Sequence, residues 1–459
     1  MTITSRVGRR RFIQGGLAGL LLGQACRPPR SGASDRPRVL VIGAGLAGLA
    51  AAQRLAQANY PVVVLEARDR LGGRTWTSTH WPDLPLDMGA SWIHGLRGNP
   101  LTALARSAAV DLVTTDYDNA LIYGPSGQPL GAQELAHLAN LGDRITTALV
   151  AAQGRDPDQS VQAAVRAALD WPALPLADQE QVNFLLNSTL EQEYAGGVSQ
   201  LSTHWYDDGE PFPRPDALLP GGYQGLVRAL AQGLDIRLQQ AVQAVDWSGG
   251  AVVVTTNQAT YQAERVVVSL PLGVLKSGAV EFSPPLAEAK TTAIARLGMG
   301  VLNKCYLRFP RVFWPNTVDW LEQISSPLGW WTEWVSLVPC LGQPVLLGFN
   351  AADQGREMET WSDGAIVASA MATLQRLFGP RLPEPLAYQI SRWHRDRYAL
   401  GAYSFNALGS TPAMRDHLAQ GLAGRLFFAG EATSRQHFGT AHGAYLSGLA
   451  AAAQIRQAP

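Results

Sequence analysis

The sequence predicts an α/β protein with two interleaved domains: a Rossmann-like domain assembled from separate stretches of chain, and an α+β domain that carries a helical insertion. Three observations predict this organisation. A strand, a glycine-rich turn, a helix and a second strand follow one another near the N-terminus. The 459 residues exceed one typical hydrophobic core. Stretches with helical spacing also separate the strand-like runs that would build one sheet.

The first 36 residues are predicted to be a targeting signal and a linker. Arg9-Arg10-Arg11-Phe12-Ile13 matches a twin-arginine export signal, and an apolar run over 15–23 follows it. That run is shorter than the roughly 20 residues that a bilayer-spanning helix needs. We therefore expect the twin-arginine export machinery as a partner and a location in the periplasm, thylakoid lumen or cell envelope. A merely basic disordered tail is the alternative, and Cys26 is a candidate lipid-attachment site that would add membrane association.

The glycine-rich unit predicts a dinucleotide site. The apolar run Val39–Ile42 leads into Gly43-Ala44-Gly45-Leu46-Ala47-Gly48, and a second apolar run ends at Glu66. Gly43 allows the tight turn, Gly45 lets the backbone approach a pyrophosphate, and Gly48 lets the helix pack closely on the strand. The helix N-terminus faces the phosphates. Glu66 is placed where a carboxylate binds a ribose hydroxyl.

The residues after Glu66 select the dinucleotide. The chain continues Ala67-Arg68-Asp69-Arg70-Leu71-Gly72-Gly73-Arg74. The simpler interpretation of these residues is a polar loop with an ordinary turn. This extension resembles the signature of the flavin-containing amine oxidases. The resemblance implies FAD as the cofactor, with Arg68, Gly73 and Arg74 helping to hold its diphosphate.

Composition restricts the kind of partner. Residues 1–30 contain six arginines and no acid, so the other 429 residues carry 31 basic and 37 acidic side chains, a formal charge of −6. A mildly acidic body suits a cationic substrate and argues against nucleic acid. Beyond Cys26 the only cysteines are Cys305 and Cys340, which implies neither a disulfide framework nor a metal site.

The order of the patterns predicts discontinuous domains. The FAD-binding domain is expected to comprise 37–98, 220–274 and 386–459. The substrate-binding domain is expected to comprise 99–219, whose first part is rich in Ala and Leu at helical spacing, and 275–385. The active site should lie between the two domains, where such pockets commonly form.

Four further blocks resemble the same family across most of the chain. The first, from Asp87 to Gly95, is similar to polyamine oxidases and lysine-specific histone demethylases. The resemblance implies that the backbone there approaches the flavin edge, and that His94 faces the bound amine; a buried histidine satisfied by backbone is the alternative. The residues of this block expected at the flavin are Gly89, Ala90, Ser91 and Trp92.

The second and third blocks supply the predicted catalytic side chains. In the family, a lysine at the position of Lys304 holds a water against flavin N5. Trp393 resembles the tryptophan that packs along the isoalloxazine, and Tyr403 resembles one wall of an aromatic cage, whose π-faces attract an amine. Monoamine oxidases attach FAD through a cysteine where this chain has Ala402, so non-covalent FAD is predicted.

The fourth block lies near the C-terminus. Glu431 resembles the acid that binds the FAD ribityl region, and Thr440 and Ala441 resemble residues that line the flavin. Monoamine oxidases carry a second cage tyrosine where this chain has Thr440, which favours a slimmer, longer amine. Val242 aligns with a residue whose backbone touches adenine. Glu191 aligns with a tunnel acid of polyamine oxidases; a solvated glutamate at a helix end is the equal alternative.

Together these blocks imply FAD-dependent oxidation of a small cationic amine, a polyamine above all. The amine must first lose a proton, because an ammonium has no lone pair to expel a hydride. Hydride then passes from the α-carbon to flavin N5, water hydrolyses the imine, and O2 or another acceptor reoxidises the flavin, with H2O2 as the product when the acceptor is O2.

Other functions remain open at the level of sequence. A basic L-amino-acid oxidase acting on arginine or lysine would need a cation for the substrate carboxylate, for which Arg97, Arg392, Arg395 and Arg397 are candidates. A flavin-dependent desaturase shares the glycine fingerprint but does not explain Lys304. A non-enzymatic flavoprotein that serves as an interaction module is the remaining hypothesis.

Overall fold

The computed structural model describes residues 36–325 and 329–458. The predicted export signal and Cys26 therefore lie outside the described residues. Within them the strands are β1 (Val39–Ile42), β2 (Val62–Leu65), β3 (Thr77–Ser78), β4 (Leu86–Asp87), β5 (Trp92–Ile93), β6 (Val113–Thr115), β7 (Ala120–Tyr123), β8 (Asp216–Leu218), β9 (Asp235–Arg237), β10 (Val242–Asp246), β11 (Val252–Thr256), β12 (Thr260–Ala263), β13 (Arg265–Val268), β14 (Glu281–Ser283), β15 (Gly298–Met299), β16 (Leu302–Arg308), β17 (Trp320–Gln323), β18 (Glu333–Ser336), β19 (Val345–Ala351), β20 (Ala387–Ile390), β21 (Ser404–Phe405) and β22 (Leu426–Phe428).

The helices in the same residues connect and cover these strands. They are α1 (Leu46–Gln57), α2 (Pro100–Ser107), α3 (Ala132–Gln153), α4 (Val161–Ala168), α5 (Leu176–Leu186), α6 (Gln192–Tyr194), α7 (Gln224–Ala231), α8 (Leu272–Ser277), α9 (Glu288–Arg296), α10 (Val338–Leu341), α11 (Ala352–Met358), α12 (Asp363–Phe378), α13 (Ala413–Ala419) and α14 (Ala441–Gln457). Short 3-10 turns cover Trp171–Ala173 and Glu431–Thr433, and a π-turn covers Asn187–Glu191.

A parallel sheet forms the Rossmann-like domain, with strand order β22-β13-β1-β2-β9. β1, β2 and β13 are runs of Val, Leu and Ile because a parallel sheet is covered on both faces. Helix α1 buries its Ala- and Leu-rich face against this sheet and packs against α14. The predicted glycine turn therefore lies at the C-terminal end of the central strand, where ligands bind in open α/β sheets.

The second domain is built on a mixed sheet with strand order β20-β16-β19-β18-β17-β7. One face packs against α12 through a core of Trp, Leu and Met side chains. The other face carries alternate residues of the same strands, including Lys304 and Tyr306 of β16, and looks toward the block that begins at Asp87. The face that carries Lys304 therefore lies at the boundary between the two domains, and we call this boundary region the cleft.

The predicted helical insertion is present but contains two strands. Helices α3, α4 and α5 pack around a core of leucines and valines. β6 pairs with β8, and β7 adds an edge strand beside β17, so this segment also extends the sheets on both sides of the cleft. After α5 the helix passes through the π-turn before α6, and a π-turn shifts the helical phase by one residue.

The chain changes domain at positions that differ from the predicted ones. β20 lies in 386–459, which was assigned to the FAD-binding domain, yet it pairs with β16 in the other sheet. β14 and α9 lie in 275–385, which was assigned to the substrate domain, yet β14 pairs with β10 and α9 packs on α13. Long-range pairing, which local patterns do not encode, determines these boundaries.

None of the helices in the described part of the chain has the length and hydropathy of a membrane-spanning segment.

Candidate active site

The glycine turn forms a cradle for a dinucleotide. Gly48 must lack a side chain, because a Cβ there would lie 1.9 Å from the carbonyl oxygen of Gly43. A Cβ on Gly45 would meet no protein atom closer than 3.9 Å, so its lack of a side chain leaves room for a ligand instead. No side chain caps the N-terminus of α1 at Gly45, so its amide donors and positive dipole end suit a phosphate. These features fit the diphosphate of FAD.

The second glycine pair lies beside the first. The Gly72 N–H donates to the carbonyl of Ala44 at 2.9 Å, and Gly45 and Gly72 form a parallel bridge. Gly72 and Gly73 have φ values of +92° and +57°, a backbone conformation that favours glycine. The structure thus brings together the two glycine motifs that the sequence assigns to one diphosphate.

Glu66 stands at the end of β2 and is 5% exposed. Its carboxylate accepts hydrogen bonds from the Ala44 N–H at 2.7 Å and the Arg68 N–H at 2.9 Å, and burial raises its pKa above the ordinary value. The Glu66 carbonyl accepts from the Gln240 N–H, two residues before Val242. The predicted ribose acid and the predicted adenine contact therefore lie at the same end of the cradle.

The two predicted diphosphate arginines have protein partners. The Arg68 guanidinium pairs with both oxygens of Asp396, at 2.6 and 2.8 Å. Arg74 donates to the Ala402 carbonyl at 2.9 Å and to Glu431 at 2.8 Å. Arg74 thus ties the first cofactor motif to the last one, whereas the charge of Arg68 is balanced by Asp396. Their contacts with FAD stay predictions.

Glu431 is a buried carboxylate with four neighbouring donors. Its oxygens accept from Arg74, from the Ser404 hydroxyl at 2.6 Å, from the Ser404 N–H at 3.3 Å and from the Gly439 N–H at 3.0 Å. Burial favours the neutral acid, but the charge of Arg74, the Ser404 hydroxyl and the charge of Arg415 outweigh it and hold the pKa of Glu431 below its ordinary value. Arg415, for which no sequence motif predicts a role in this site, is fully buried and also donates to the Ser404 hydroxyl.

Lys304 lies on the cleft face of β16 and is 4% exposed. Its ammonium donates to the carbonyls of Asp87 at 3.0 Å and Gly89 at 2.6 Å and to the Ser91 hydroxyl. Burial lowers the pKa of Lys304, and the nearby Asp87 carboxylate opposes that shift. The lysine is therefore fixed against the predicted flavin-edge block, and its contact with a water at flavin N5 stays a prediction.

Trp393 packs against the same block. Its indole N–H donates to the Met88 carbonyl at 3.0 Å, and a Cβ on Gly89 would meet its ring at 3.1 Å. Trp92 lies 5.7 Å from the Lys304 ammonium and stacks on Trp320 at 5.9 Å. Ala90 completes this turn, with its N–H donating to the Arg74 carbonyl. The structure thus assembles the predicted flavin-facing residues from three separate segments.

Tyr403 and Thr440 are held in different ways. The Tyr403 hydroxyl donates to the Gln192 carbonyl at 2.8 Å, which ties the predicted cage wall to the helical insertion. Thr440 is the N-cap of α14: its hydroxyl donates to the His437 carbonyl and accepts from the Gly443 N–H at 2.9 Å. Ala441 begins that helix. The Thr440 hydroxyl is thus committed to the helix, and a contact with flavin or substrate stays a prediction.

His94 lies at the cleft with its side chain 49% exposed. Its Nδ1 is 3.0 Å from Asp216, whose other oxygen accepts from the Gly95 N–H at 2.7 Å. Asp216 was not selected from the sequence because 122 residues separate it from His94. The pairing of β5 with β8 brings the two together.

The helical insertion carries two acids near the cleft, Glu191 and Glu193, of which the sequence predicted a role only for Glu191. Glu191 accepts hydrogen bonds from the Asn187 amide at 2.8 Å and the Val198 N–H at 3.0 Å, and burial raises its pKa. It therefore serves its own turn of helix rather than presenting a free carboxylate. Glu193 is exposed, and its charge raises the pKa values of Tyr403 and His94. Glu193 is thus the insertion acid that faces the cleft.

Two more acidic residues, Glu333 and Glu322, lie in one row with Lys304 across the same face of the sheet. In the strand register, Lys304 of β16 lies opposite Phe349 of β19, and Glu322 of β17 lies opposite Glu333 of β18. Continuing the β18–β19 register by one residue places Glu333 opposite Phe349. Opposed residues in antiparallel strands share a face. With strands about 4.8 Å apart, Glu333 and Glu322 lie roughly 10 and 14 Å from Lys304 along the row.

This carboxylate row is electrostatically unusual. Burial, followed by the charge of Glu322, raises the pKa of Glu333 well above its ordinary value; the Ser188 hydroxyl donates to it at 2.6 Å. Burial also raises the pKa of Glu322. Among the described residues no Lys or Arg forms an ion pair with Glu193, Glu322 or Glu333. A cation entering the cleft would lower both pKa values and so favour the ionised form of these carboxyl groups.

The fold and the site define a class of protein: a flavoprotein oxidoreductase with a Rossmann-like FAD domain and a second domain that faces it. Comparison with known sequences identifies the family. Residues 46–456 match the flavin containing amine oxidoreductases, and the chain belongs to that family. It is accordingly an FAD-containing enzyme that oxidises amines.

Relatives of known name agree with this assignment. Polyamine oxidase 4 of Oryza sativa subsp. japonica is 35% identical over 92% of this chain and 89% of its own length. Lysine-specific histone demethylase 1 homolog 1 of the same plant is 33% identical over 97% of this chain, which spans 55% of that protein. A double mutant of putrescine oxidase redesigned in cofactor binding has the same fold, with a TM-score of 0.74 at 20% identity, covering 92% of this chain and 99% of that one.

Proposed function

We propose that this enzyme is a polyamine oxidase that acts on amines with at least two positive charges and holds FAD non-covalently. The observation that carries the proposal is the row of unpaired carboxylates, Glu333 and Glu322, on the cleft face that carries Lys304. Glu193 adds a carboxylate from the insertion, and its charge also raises the pKa of Glu333. A second ammonium, several methylenes from the reacting nitrogen, would pair with this row.

The residues of the cleft divide the work. Bound FAD would supply the acceptor for a hydride from the carbon next to the amine nitrogen, and O2 would accept the electrons in turn and give H2O2. Tyr403 orients the amine through its π-face, Trp393 is placed to pack along the flavin ring, and the Lys304 ammonium places positive charge beside the flavin-edge block. The carboxylate row anchors the far end of the substrate, which fixes the carbon that reacts. Water then hydrolyses the product imine.

Non-covalent FAD is proposed because the position used for attachment in monoamine oxidases is Ala402, which has no nucleophile. Of the two cysteines in the described residues, Cys305 is fully buried on the opposite face of β16 from Lys304, and Cys340 is partly buried beside the Ser336 carbonyl. Heat or acid should therefore release free FAD into the supernatant. Flavin that remains with the precipitated protein would contradict this point.

The basic amino-acid alternative depends on a cation for the substrate carboxylate. Arg392 pairs with Asp363 at 2.6 Å and donates to the Trp361 carbonyl, on the side of the sheet away from Lys304. Arg397 lies over the Tyr398 ring, and Arg97 and Arg395 are exposed. A better candidate is Arg214, whose charge acts on both His94 and Asp216. Arg214 is therefore the residue whose replacement would test the amino-acid oxidase alternative.

The experiment is a substrate screen with purified holoenzyme. Spermidine, spermine, putrescine, L-arginine and L-lysine are each supplied with O2, and H2O2 is measured. We expect turnover of at least one of the first three. Glu333→Gln should raise KM for that amine and leave a monoamine of similar length little changed, because only the second charge contacts the row. Peroxide from arginine but from no polyamine would overturn the proposal.

We also propose that the protein is exported by the twin-arginine route. The support is the sequence Arg9-Arg10-Arg11-Phe12-Ile13 with the short apolar run behind it. Replacing Arg9 and Arg10 by lysine should keep the enzyme inside the producing cell, because that route requires the paired arginines. Unchanged export of the double variant, assayed by cell fractionation, would contradict it.

A further inference from the structure

We propose that Asp216 is a positioning residue that holds His94 as the acceptor of the proton that the substrate ammonium must lose. This inference rests on the proposed function, because it concerns a cationic amine. His94 would touch the substrate nitrogen, and Asp216 would act only through His94. The proposal concerns the pair formed by Asp216 and His94, which we call the Asp–His pair.

The geometry of the Asp–His pair fixes which ring nitrogen is free. Asp216 Oδ2 lies 3.0 Å from His94 Nδ1, and Asp216 Oδ1 accepts from the Gly95 N–H at 2.7 Å. A carboxylate only accepts hydrogen bonds, so the proton of a neutral His94 is assigned to Nδ1. The imidazole Nε2 is then left with a lone pair, on a ring that is half-exposed to the cleft. This arrangement is that of an oriented general base.

The backbone makes the arrangement rigid. Asp216 is 7% exposed and belongs to β8, which pairs with β5 on one side and β6 on the other. His94 directly follows β5, and its carbonyl accepts from the Asn99 amide at 2.9 Å. Trp92 stacks beside the imidazole at 6.5 Å between ring centroids. The ring is therefore held by a residue of a central strand, Asp216, and lies directly after the neighbouring strand.

The charges around the imidazole come from three parts of the chain. Asp216 and Arg214 face it from the β8 segment, Glu193 from the insertion, and the neighbouring His442 from α14. Burial in the cleft opposes protonation of the ring. The hydrogen bond to Asp216 and the charges of Glu193 and Asp216 outweigh burial and Arg214, so the pKa of His94 is raised. Asp216 itself stays ionised: burial opposes this, but the hydrogen bond from His94 keeps its pKa below the ordinary value.

The proton transfer balances without any further reactant. An N–H bond of the substrate ammonium breaks, an Nε2–H bond of His94 forms, and the positive charge moves from substrate nitrogen to imidazolium. The carboxylate of Asp216 stabilises that imidazolium through the Nδ1 hydrogen bond. The neutral amine keeps the electron pair that is needed to expel hydride. The proton leaves to cleft water before the next substrate binds.

The test is the pH profile of anaerobic flavin reduction by the amine in the holoenzyme. His94 must be neutral to accept a proton, so the wild-type profile should show an acidic limb. Asp216→Asn removes the charge that raises the pKa of His94, so this limb should move to lower pH and the plateau should fall about tenfold. Arg214→Gln removes a charge that lowers the same pKa, so its limb should move in the opposite direction. A merely structural role for Asp216 would leave the limb in place.

A double-mutant cycle isolates the pair. In a His94→Gln background the rate should depend only on deprotonation of the substrate amine itself. The limb should therefore move to the higher pKa of that amine, and Asp216→Asn should add no further penalty. Asp216→Glu, which keeps the charge, should restore part of the plateau. Additive losses, or a limb that stays at its wild-type pH without His94, would overturn the proposal. If Asp216→Asn does not retain FAD, His94→Gln alone decides through the shift or constancy of the limb. Failure of the wild type to oxidise any di- or polyamine would instead count against the proposed function.

Discussion

Gly45 and Gly48 are three residues apart in the same glycine turn, yet alanine should lower FAD affinity at the first and protein stability at the second. At Gly48 a Cβ would lie 1.9 Å from the Gly43 carbonyl oxygen and 2.8 Å from the Ser269 hydroxyl. Real Cβ atoms stay at least 3.0 Å from such neighbours, so α1 must move away from β1 by about 1.1 Å. The nearest obstacle is backbone, so side-chain rotation cannot relieve it.

The magnitudes follow from these contacts. Overpacking of this kind costs about 3 kcal/mol, so Gly48→Ala should lower the stability of the protein itself. At Gly45 the nearest protein atom would be 3.9 Å away, and its φ of −79° suits alanine. Gly45→Ala should therefore leave stability within about 0.5 kcal/mol. The new methyl would occupy space next to the phosphates and weaken FAD binding by about 10- to 100-fold, which is about 1.4 to 2.8 kcal/mol.

Two measurements separate these effects. Urea unfolding of the protein stripped of FAD reports stability, and titration with FAD, followed by flavin fluorescence, reports affinity. We expect Gly48→Ala to lose stability, and Gly45→Ala to lose affinity at unchanged stability. Equal stability losses in the two variants, or full FAD affinity in Gly45→Ala, would refute the assignment of Gly45 to the ligand and Gly48 to helix packing.

Further predictions concern the cleft and the flavin cradle. Lys304→Met should retain FAD, seen by its absorbance, while amine oxidation slows about 100-fold; unchanged turnover would refute a catalytic role. Glu333→Gln should raise KM for the polyamine about tenfold in initial-rate assays, and an equal rise for a monoamine would argue against a second-cation site. The contribution of Glu431 is present above its ordinary pKa and is lost as pH falls through its lowered folded pKa. Arg74→Met should raise that pKa, so FAD release on acidification, followed by fluorescence, should occur at higher pH than in the wild type.

The sequence predicted the elements whose signal is local. The apolar runs of β1 and β2 and the helix α1 between them appear where the patterns place them. The glycine motif needs only a strand before it and a helix after it, both of which are readable from neighbouring residues. The predicted cofactor, FAD, is confirmed by the family to which the chain belongs.

The parts that sequence did not reveal depend on long-range pairing. Asp216 reaches His94 only because β8 pairs with β5, and Glu333 faces Glu322 only through the β17–β18 register. No local pattern indicated the π-turn over Asn187–Glu191, which inserts an extra residue and so changes the direction of the side chains that follow it, among them Glu193.

We propose above all that the cleft selects an amine with a second positive charge. The most direct test compares kcat/KM of the holoenzyme for spermidine, spermine and putrescine with that for monoamines of similar length and for L-arginine and L-lysine. The carboxylate row predicts the highest kcat/KM for a di- or polyamine. Glu333→Gln should reduce the ratio of this kcat/KM to that for the monoamine. A basic amino acid or a monoamine that is oxidised as well as every polyamine, with no effect of Glu333→Gln, would contradict the claim.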